Sequence, residues 1–350
     1  METAPTAGPA GPARLSLGLG SLRTYGLLIA IIVISLFFYL QNSAFAKPEN
    51  LLVLLRSMAS LGMIAFAQLL VIIAGELDLS VGAVYGLAAT TLAVLWLAPN
   101  ASMRLPFHPE LPFLLALALA LCVGLGAGWI NAFFTTVVKI PSFIATLGML
   151  SIAGGAELLL SNASNFNPAY NVPPADATEV QWFRALGATT LPFGIPVQVG
   201  WLALFFVVFW VVRHRTLFGF RLLAIGGNAP ASEVNRLPVR RYKFIVFMLC
   251  GFMAGLAGIL DFSYIGSIGP NSGAPLTFPV FAAVVIGGAS LSGGRGTVFG
   301  TLMGAVLLAV LRNGLAIMGV GAFAQLIFVG AVTIGAVTID VLGQRASRRS

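Results

Sequence analysis

Ile73-Ala-Gly-Glu-Leu-Asp-Leu-Ser-Val-Gly82 decides the reading of this chain. The stretch sets two carboxylates, Glu76 and Asp78, between the apolar runs Leu51–Ala74 and Val81–Leu97. A carboxylate at the centre of a bilayer costs roughly 2.5–3.5 kcal/mol on insertion scales, and such residues face a bundle interior or a water-filled path. Gly75 and Gly82 flank the pair, and glycine lets a backbone leave helical geometry. Irregular backbone at membrane depth is tolerated only where protein or a cavity surrounds it. The stretch therefore predicts a broken membrane helix enclosed by a bundle.

The rest of the chain agrees. Of its 350 residues, 58% are hydrophobic and 9% charged, against about 25% charged in a soluble domain. This is an all-α, polytopic integral membrane protein. About ten spans are expected: Tyr25–Leu40, Leu51–Ala74, Val81–Leu97, Leu111–Val138, Ser142–Leu160, Pro196–Val212, Phe244–Asp261, Val280–Leu291, Thr297–Leu315 and Ala322–Leu342. The eighth is short for a full crossing. One membrane domain covers 23–342, between a disordered tail at 1–22 and a basic tail at 343–350. Residues 161–195 lack a long apolar run and read as a loop in water.

Residues 213–243 form the most basic segment. Placing it in the cytoplasm puts Arg14, Arg23, Lys139, Arg295 and the C-terminal arginines inside, and leaves Lys47, Arg56, Arg104 and Arg184 outside. Both termini are then cytoplasmic. The net charge of +8 is accordingly read as orienting loop charge, with no nucleic-acid partner. Within this segment Pro230 predicts a short helix over Ala231–Arg236, stopped by Pro238. Such a helix suits a docking surface, or else a solvated basic loop beside anionic lipid.

Little here can do covalent chemistry. The two histidines, His108 and His214, fall in loops, and no His/Cys/Asp cluster has metal-ligand spacing. Cys122 and Cys250 sit in apolar runs as small hydrophobes. A phosphate-binding loop needs Gly-Lys-Ser/Thr, and Lys47, Lys139 and Lys243 precede Pro, Ile and Phe. Energy from ATP would have to come from another chain, and no cofactor is expected. A rival reading is an ion-coupled carrier using Glu76, Asp78, Glu157 and Asp261.

Small residues recur at four-residue spacing in Gly82/Gly86, Gly124/Gly128, Gly251/Gly255 and Gly296/Gly300/Gly304, which reads as close helix packing. A faint internal echo lays Ile72–Gly86 on Ile286–Gly300 without a gap, pairing Gly82 with Gly296 and Tyr85 with Phe299.

Ala74-Gly-Glu-Leu-Asp-Leu-Ser-Val-Gly82, Ile140-Pro-Ser-Phe-Ile-Ala-Thr-Leu-Gly148, Ala224-Ile-Gly-Gly-Asn228, Ala283–Thr297 and Asn313-Gly314 occur together and in order. With these the chain resembles the permease subunits of bacterial importers of the ATP-binding-cassette type for ribose, xylose and galactose, related to branched-chain amino acid permeases. The resemblance covers roughly Leu51–Leu342. It implies a bacterial inner-membrane subunit that moves a monosaccharide inward. It further implies a cytoplasmic ATPase subunit, a periplasmic sugar-binding protein and a second permease subunit as partners. A nucleoside or a branched-chain amino acid is the alternative cargo. Three positions depart from the family pattern: Glu76 for glycine, Leu237-Pro238 for Gly-Ile, and Ala132 for glycine.

The resemblance makes Ala224, Gly226, Gly227, Asn228, Pro230, Glu233 and Arg236 the expected coupling element for the ATPase. The residues expected in the pathway or its gate are Glu76, Asp78, Ser80, Asn131, Ser142, Thr146, Ser290, Asn313 and Gln325. Each has a second reading. Asp78 can cap the span that begins at Val81. Asn131, Ser142 and Thr146 can bond across helices. Ser290, with Ser292 and Arg295, can be a simple hairpin. Glu76 is expected to face a vestibule, since two unpaired carboxylates together are unfavourable.

Overall fold

A computed structural model describes residues 19–98, 108–170 and 176–347. Most of the 1–22 tail, Arg104, Arg348 and Arg349 lie outside the described residues. The described chain is helical, without strands. Its helices are α1 (Leu19–Gln41), α2 (Pro48–Ile73), α3 (Val81–Trp96), α4 (Phe113–Phe133), α5 (Ser142–Ser161), α6 (Ala177–Gly187), α7 (Val197–Arg215), α8 (Leu217–Gly227), α9 (Ala229–Val234), α10 (Val239–Ile265), α11 (Thr277–Ile286), α12 (Val298–Ile317) and α13 (Ala322–Ser347).

Helix α2 is the axis of the bundle. Every residue from Ala59 to Ile73 is buried, as expected of a helix that is apolar all round. Helices α3, α7, α10, α11 and α12 pack on it or on one another, and α4 and α5 close the α3 and α10 side. The most apolar stretch of α2 is 83% buried, whereas that of α7 is 17% buried and that of α5 22%. These two outer helices therefore turn most of their apolar side chains away from the bundle.

Among the described residues, six helices are long and apolar enough to cross a membrane: α2, α4 with the π-turn that continues it to Val138, α5, α7, α10 and α12. The other four expected spans contain shorter apolar helices, at Tyr25–Gln41, Val81–Trp96, Ala274–Ile286 and Ala322–Gly335. The eighth, expected at Val280–Leu291, is the 10-residue α11, which stops at Ile286.

Two segments between expected spans hold more helix than expected. Residues 161–195 contain α6, capped by Asp176, whose carboxylate accepts Thr178 N at 2.8 Å and Glu179 N at 3.1 Å. Its Phe183 is buried against Trp96, Phe113 and Phe262. Glu179 accepts bonds from Trp96 Nε1 at 2.8 Å and Phe113 N at 2.9 Å. The apolar face is only three residues deep (Val180, Phe183, Leu186), so it disappears in the surrounding Asn, Pro and Ala. Residues 213–243 are also mostly helical. Helix α7 runs on to Arg215, α8 follows at once, and α10 begins at Val239. The short helix is Ala229–Val234, because Asn228 caps it by accepting Ala231 N at 3.0 Å. Arg236, expected inside it, lies beyond its end at φ 59°.

The recurring glycines meet each other. A Cβ on Gly251 of α10 would strike Gly124 O of α4, and one on Gly128 would strike Phe247 O. Gly304 and Gly300 of α12 sit in the same way on Ala283 of α11 and on Gly287, which caps it. Overpacking typically costs 1–3 kcal/mol, and here the obstruction is backbone. Gly251→Leu is expected to destabilise by about 3 kcal/mol, seen as a lower midpoint for loss of the monodisperse detergent-solubilised species on heating. An unchanged midpoint contradicts this contact.

Candidate functional site

The break after α2 is built from backbone first. Gly75 takes φ 79°, a left-handed conformation that glycine adopts without a Cβ penalty. The turn closes with Gly75 N donating to Ile72 O at 3.0 Å and Glu76 N to Val71 O at 3.1 Å. Residues 76–80 are non-helical, and α3 starts at Val81. Such a segment must find partners outside itself.

Those partners come from α4 and α5. Asp78 is 2% exposed, and its Oδ1 accepts Ser80 N at 2.9 Å and Ser80 Oγ at 2.6 Å. Asn131 Nδ2 donates to Ser80 Oγ at 2.9 Å. Leu77 N donates to Ser142 Oγ at 3.1 Å, and Thr146 Oγ1 lies 3.4 Å from Leu77 O. Asp78, Ser80, Asn131, Ser142 and Thr146 thus form one buried clamp around the irregular segment. Beneath it, Cys250 Sγ donates to Gln68 Oε1 at 3.2 Å.

Glu76 stands apart from that clamp. It forms an ion pair with Lys243 at the start of α10, with side-chain exposures of 11% and 19%. Glu76, expected to face a vestibule, is instead mostly buried against its counter-ion. Its counter-charge lies 167 residues away, beyond the reach of local sequence reading. A single lysine opening a long apolar run was the available signal.

Three separated glycine motifs converge beside this pair. Ile73 O, an orphan carbonyl at the end of α2, accepts Gly294 N at 2.9 Å. Gly226 of α8 lies against the same carbonyl, and Gly293, at φ 80°, lies against Gly226 O. A side chain at Gly226 or Gly293 would push these three backbones apart. Ser290 closes the neighbouring turn, with Ser290 N donating to Arg295 O at 3.1 Å and Gly293 N to Ser290 O at 2.9 Å. Of the expected coupling residues, Ala224, Gly227, Asn228, Pro230, Glu233 and Arg236 are exposed around Gly226. Leu217, Phe220 and Val234 extend that surface and are 70%, 72% and 83% exposed.

The internal echo is real in geometry but not in the gapless register. Helix α11 ends as α2 does, with Gly288 N on Val285 O at 3.0 Å and Ala289 N on Val284 O at 3.1 Å. Gly75 therefore corresponds to Gly288, and the cap Ser80 to the cap Thr297. The second break is four residues longer than the first, so Gly82 does not correspond to Gly296.

Asn313 and Gln325 are not at this break. Asn313 exchanges two hydrogen bonds of 2.9 Å with Asn50. Gln325 Nε2 donates to Val320 O at 2.9 Å, closing the turn between α12 and α13. Toward that opposite end lies a polar cluster that the site reading left out. Asp261 of α10 accepts Ser60 Oγ at 2.6 Å and Tyr85 OH at 2.8 Å, joining α2, α3 and α10. The Arg56 guanidinium stacks 3.3 Å above the Tyr264 ring. Arginine inside an apolar run was the missed signal. No group of three or more metal-ligating side chains occurs among the described residues.

A buried, clamped helix break, a glycine junction leading to an exposed helical surface, and a polar cluster at the other end define a membrane permease. A family described as branched-chain amino acid transport system / permease component matches residues 50–337. The chain belongs to that family. It is 36% identical to the probable ABC transporter permease protein YphD of Escherichia coli K12, over 93% of this chain and 92% of that one. It is 35% identical to the ribose import permease protein RbsC of Bacillus subtilis 168, covering 90% of each. Identity to the xylose transport system permease protein XylH of Escherichia coli K12 is 32%, over 93% and 94%. No solved structure gives a significant match.

Proposed function

We propose that this chain is the membrane-spanning permease of an ATP-binding-cassette importer and carries a monosaccharide from periplasm to cytoplasm. The observation that carries the reading is the junction of Gly226 with Ile73 O and Gly294 N. Through it a push on the α8–α9 surface reaches both helix breaks without crossing a flexible connector. A cytoplasmic ATPase subunit docks on Ala224–Arg236, a periplasmic sugar-binding protein delivers the solute, and a second copy of the chain completes the channel in lipid. Both termini lie in the cytoplasm, as the lysine and arginine distribution over the loops favours. The similarity to ribose and xylose permeases supports a pentose-sized cargo.

Reconstitution tests this. Uptake into proteoliposomes is expected only with ATP, the ATPase and the binding protein all present. Uptake by this chain alone under a proton or sodium gradient establishes the ion-coupled carrier instead.

A further inference from the structure

At the end of the bundle away from the glycine junction, a cavity of about 310 Å³ opens between α2, α10 and α12. It lies at the lower end of the range for small-molecule sites, about 300–1,000 Å³. Arg56, Ser57, Ser60, Asp261, Arg312 and Asn313 supply its polar wall. From Lys243 to Asp261 α10 rises roughly 27 Å at 1.5 Å per residue, so the cavity and the Glu76–Lys243 pair lie at opposite ends of the helices.

The wall is unbalanced in two ways. Two guanidinium groups face one carboxylate, leaving a charge of one positive unit. The carboxylate and amide acceptors are also already engaged. Both Asp261 oxygens accept bonds from Ser60 and Tyr85, and Asn313 is paired with Asn50. Arg312 has no acidic partner among the described residues. The serine hydroxyls already donate, Ser57 to Leu54 O and Ser60 to Asp261, so the free donors are the guanidinium groups. Such a fork pairs with a carboxylate or a phosphate, and one net positive unit matches the single charge of a carboxylate better than a phosphate's charge of nearly two. Charged side chains within membrane helices mark solute paths.

We propose that this cavity is a solute subsite of the permease, that Arg312 is its recognition group, and that it takes a hydroxylated solute bearing a carboxylate, a sugar acid. The solute class rests on the import reading above. The carboxylate pairs with Arg312, and Arg56 and Ser57 bond the hydroxyls. This narrows the cargo from a monosaccharide in general to its acid form: neutral sugars leave Arg312 unpaired and bind less well.

The test uses Ala316→Cys, on the cavity wall but outside the named contacts, in a Cys122→Ser background, since Cys250 is buried. Labelling is compared between an anionic sulfonatoethyl and a cationic trimethylammonioethyl methanethiosulfonate, each normalised to its rate with a free thiol. The anionic reagent is expected to react roughly tenfold faster, as a cleft of one charge sign concentrates counter-ions. Arg312→Gln should bring the ratio toward one, and D-xylonate should slow labelling where D-xylose and acetate do not. Equal normalised rates, no labelling at all, or equal protection by D-xylose overturns the proposal. Val53→Cys, on the same wall, is the second reporter if Ala316→Cys does not fold. The rates are read on the permease alone. ATP-dependent uptake alongside equal rates therefore removes the subsite and leaves the importer reading standing.

Discussion

Lys243→Glu is expected to cut ATP-driven uptake at least about tenfold, and adding Glu76→Lys to restore most of it. The single change sets two carboxylates together where a lysine and a glutamate now touch, at a site less than one-fifth exposed. Like charges about 4 Å apart cost about 4 kcal/mol at an effective dielectric of 20, and a tenfold loss needs only about 1.4 kcal/mol. Relaxation and protonation will absorb part of the difference, so tenfold is the smaller figure to expect. The pair fixes the start of α10 to the break after α2. Helix α9 leads into α10 within residues 235–238, so the ion pair lies on the route from the exposed surface to the break. The double swap reverses both charges and keeps the attraction. Initial uptake rates in proteoliposomes, with the monodisperse fraction as a folding control, decide it. A well-folded Lys243→Glu permease with native rates, or a double variant no better than the single, removes the pair from the mechanism.

What the sequence made legible is what local chemistry carries. The long apolar runs gave the membrane helices, and Gly75 with two carboxylates marked the break, because each signal lies within one turn of the feature it specifies. The glycine spacings marked close packing without naming partners. That Gly124 meets Gly251 is decided by the meeting of α4 with α10, which neither spacing contains. The pairing of Glu76 with Lys243, and the convergence of Gly226 and Gly294 on one carbonyl, are long-range in the same sense. Helix α6 was missed because a helix docked on one shallow face needs only three apolar residues. The gapless echo failed because identical helix ends are joined to the next helix by loops of different length. Asn313 pairs with Asn50 and lines the cavity at the other end of the bundle, a placement that only the fold reveals.

Asp78 tests whether the break is held by its clamp or used as an ion site. Asp78→Ala removes the acceptor of Ser80 N and Ser80 Oγ and leaves both groups buried without it. An unsatisfied buried group costs about 1–3 kcal/mol, so the pair is expected to cost about 3–5 kcal/mol, with most of the folded yield lost. Asp78→Asn keeps an oxygen in the same place and has nearly the same shape. It retains both bonds from Ser80 while giving up the charge, and should fold with uptake within about threefold of native, under 1 kcal/mol. The contrast between the two variants carries the information. A carboxylate that binds a proton or sodium ion cannot be replaced by an amide, whereas one that caps and clamps backbone can. A folded Asp78→Asn permease that carries nothing would assign Asp78 to cargo or coupling ion. Native stability in Asp78→Ala would show that the break stands without its clamp. Retained uptake in Asn together with collapse in Ala makes Asp78 the structural hinge-pin between α2 and α3, and leaves solute contact to other residues.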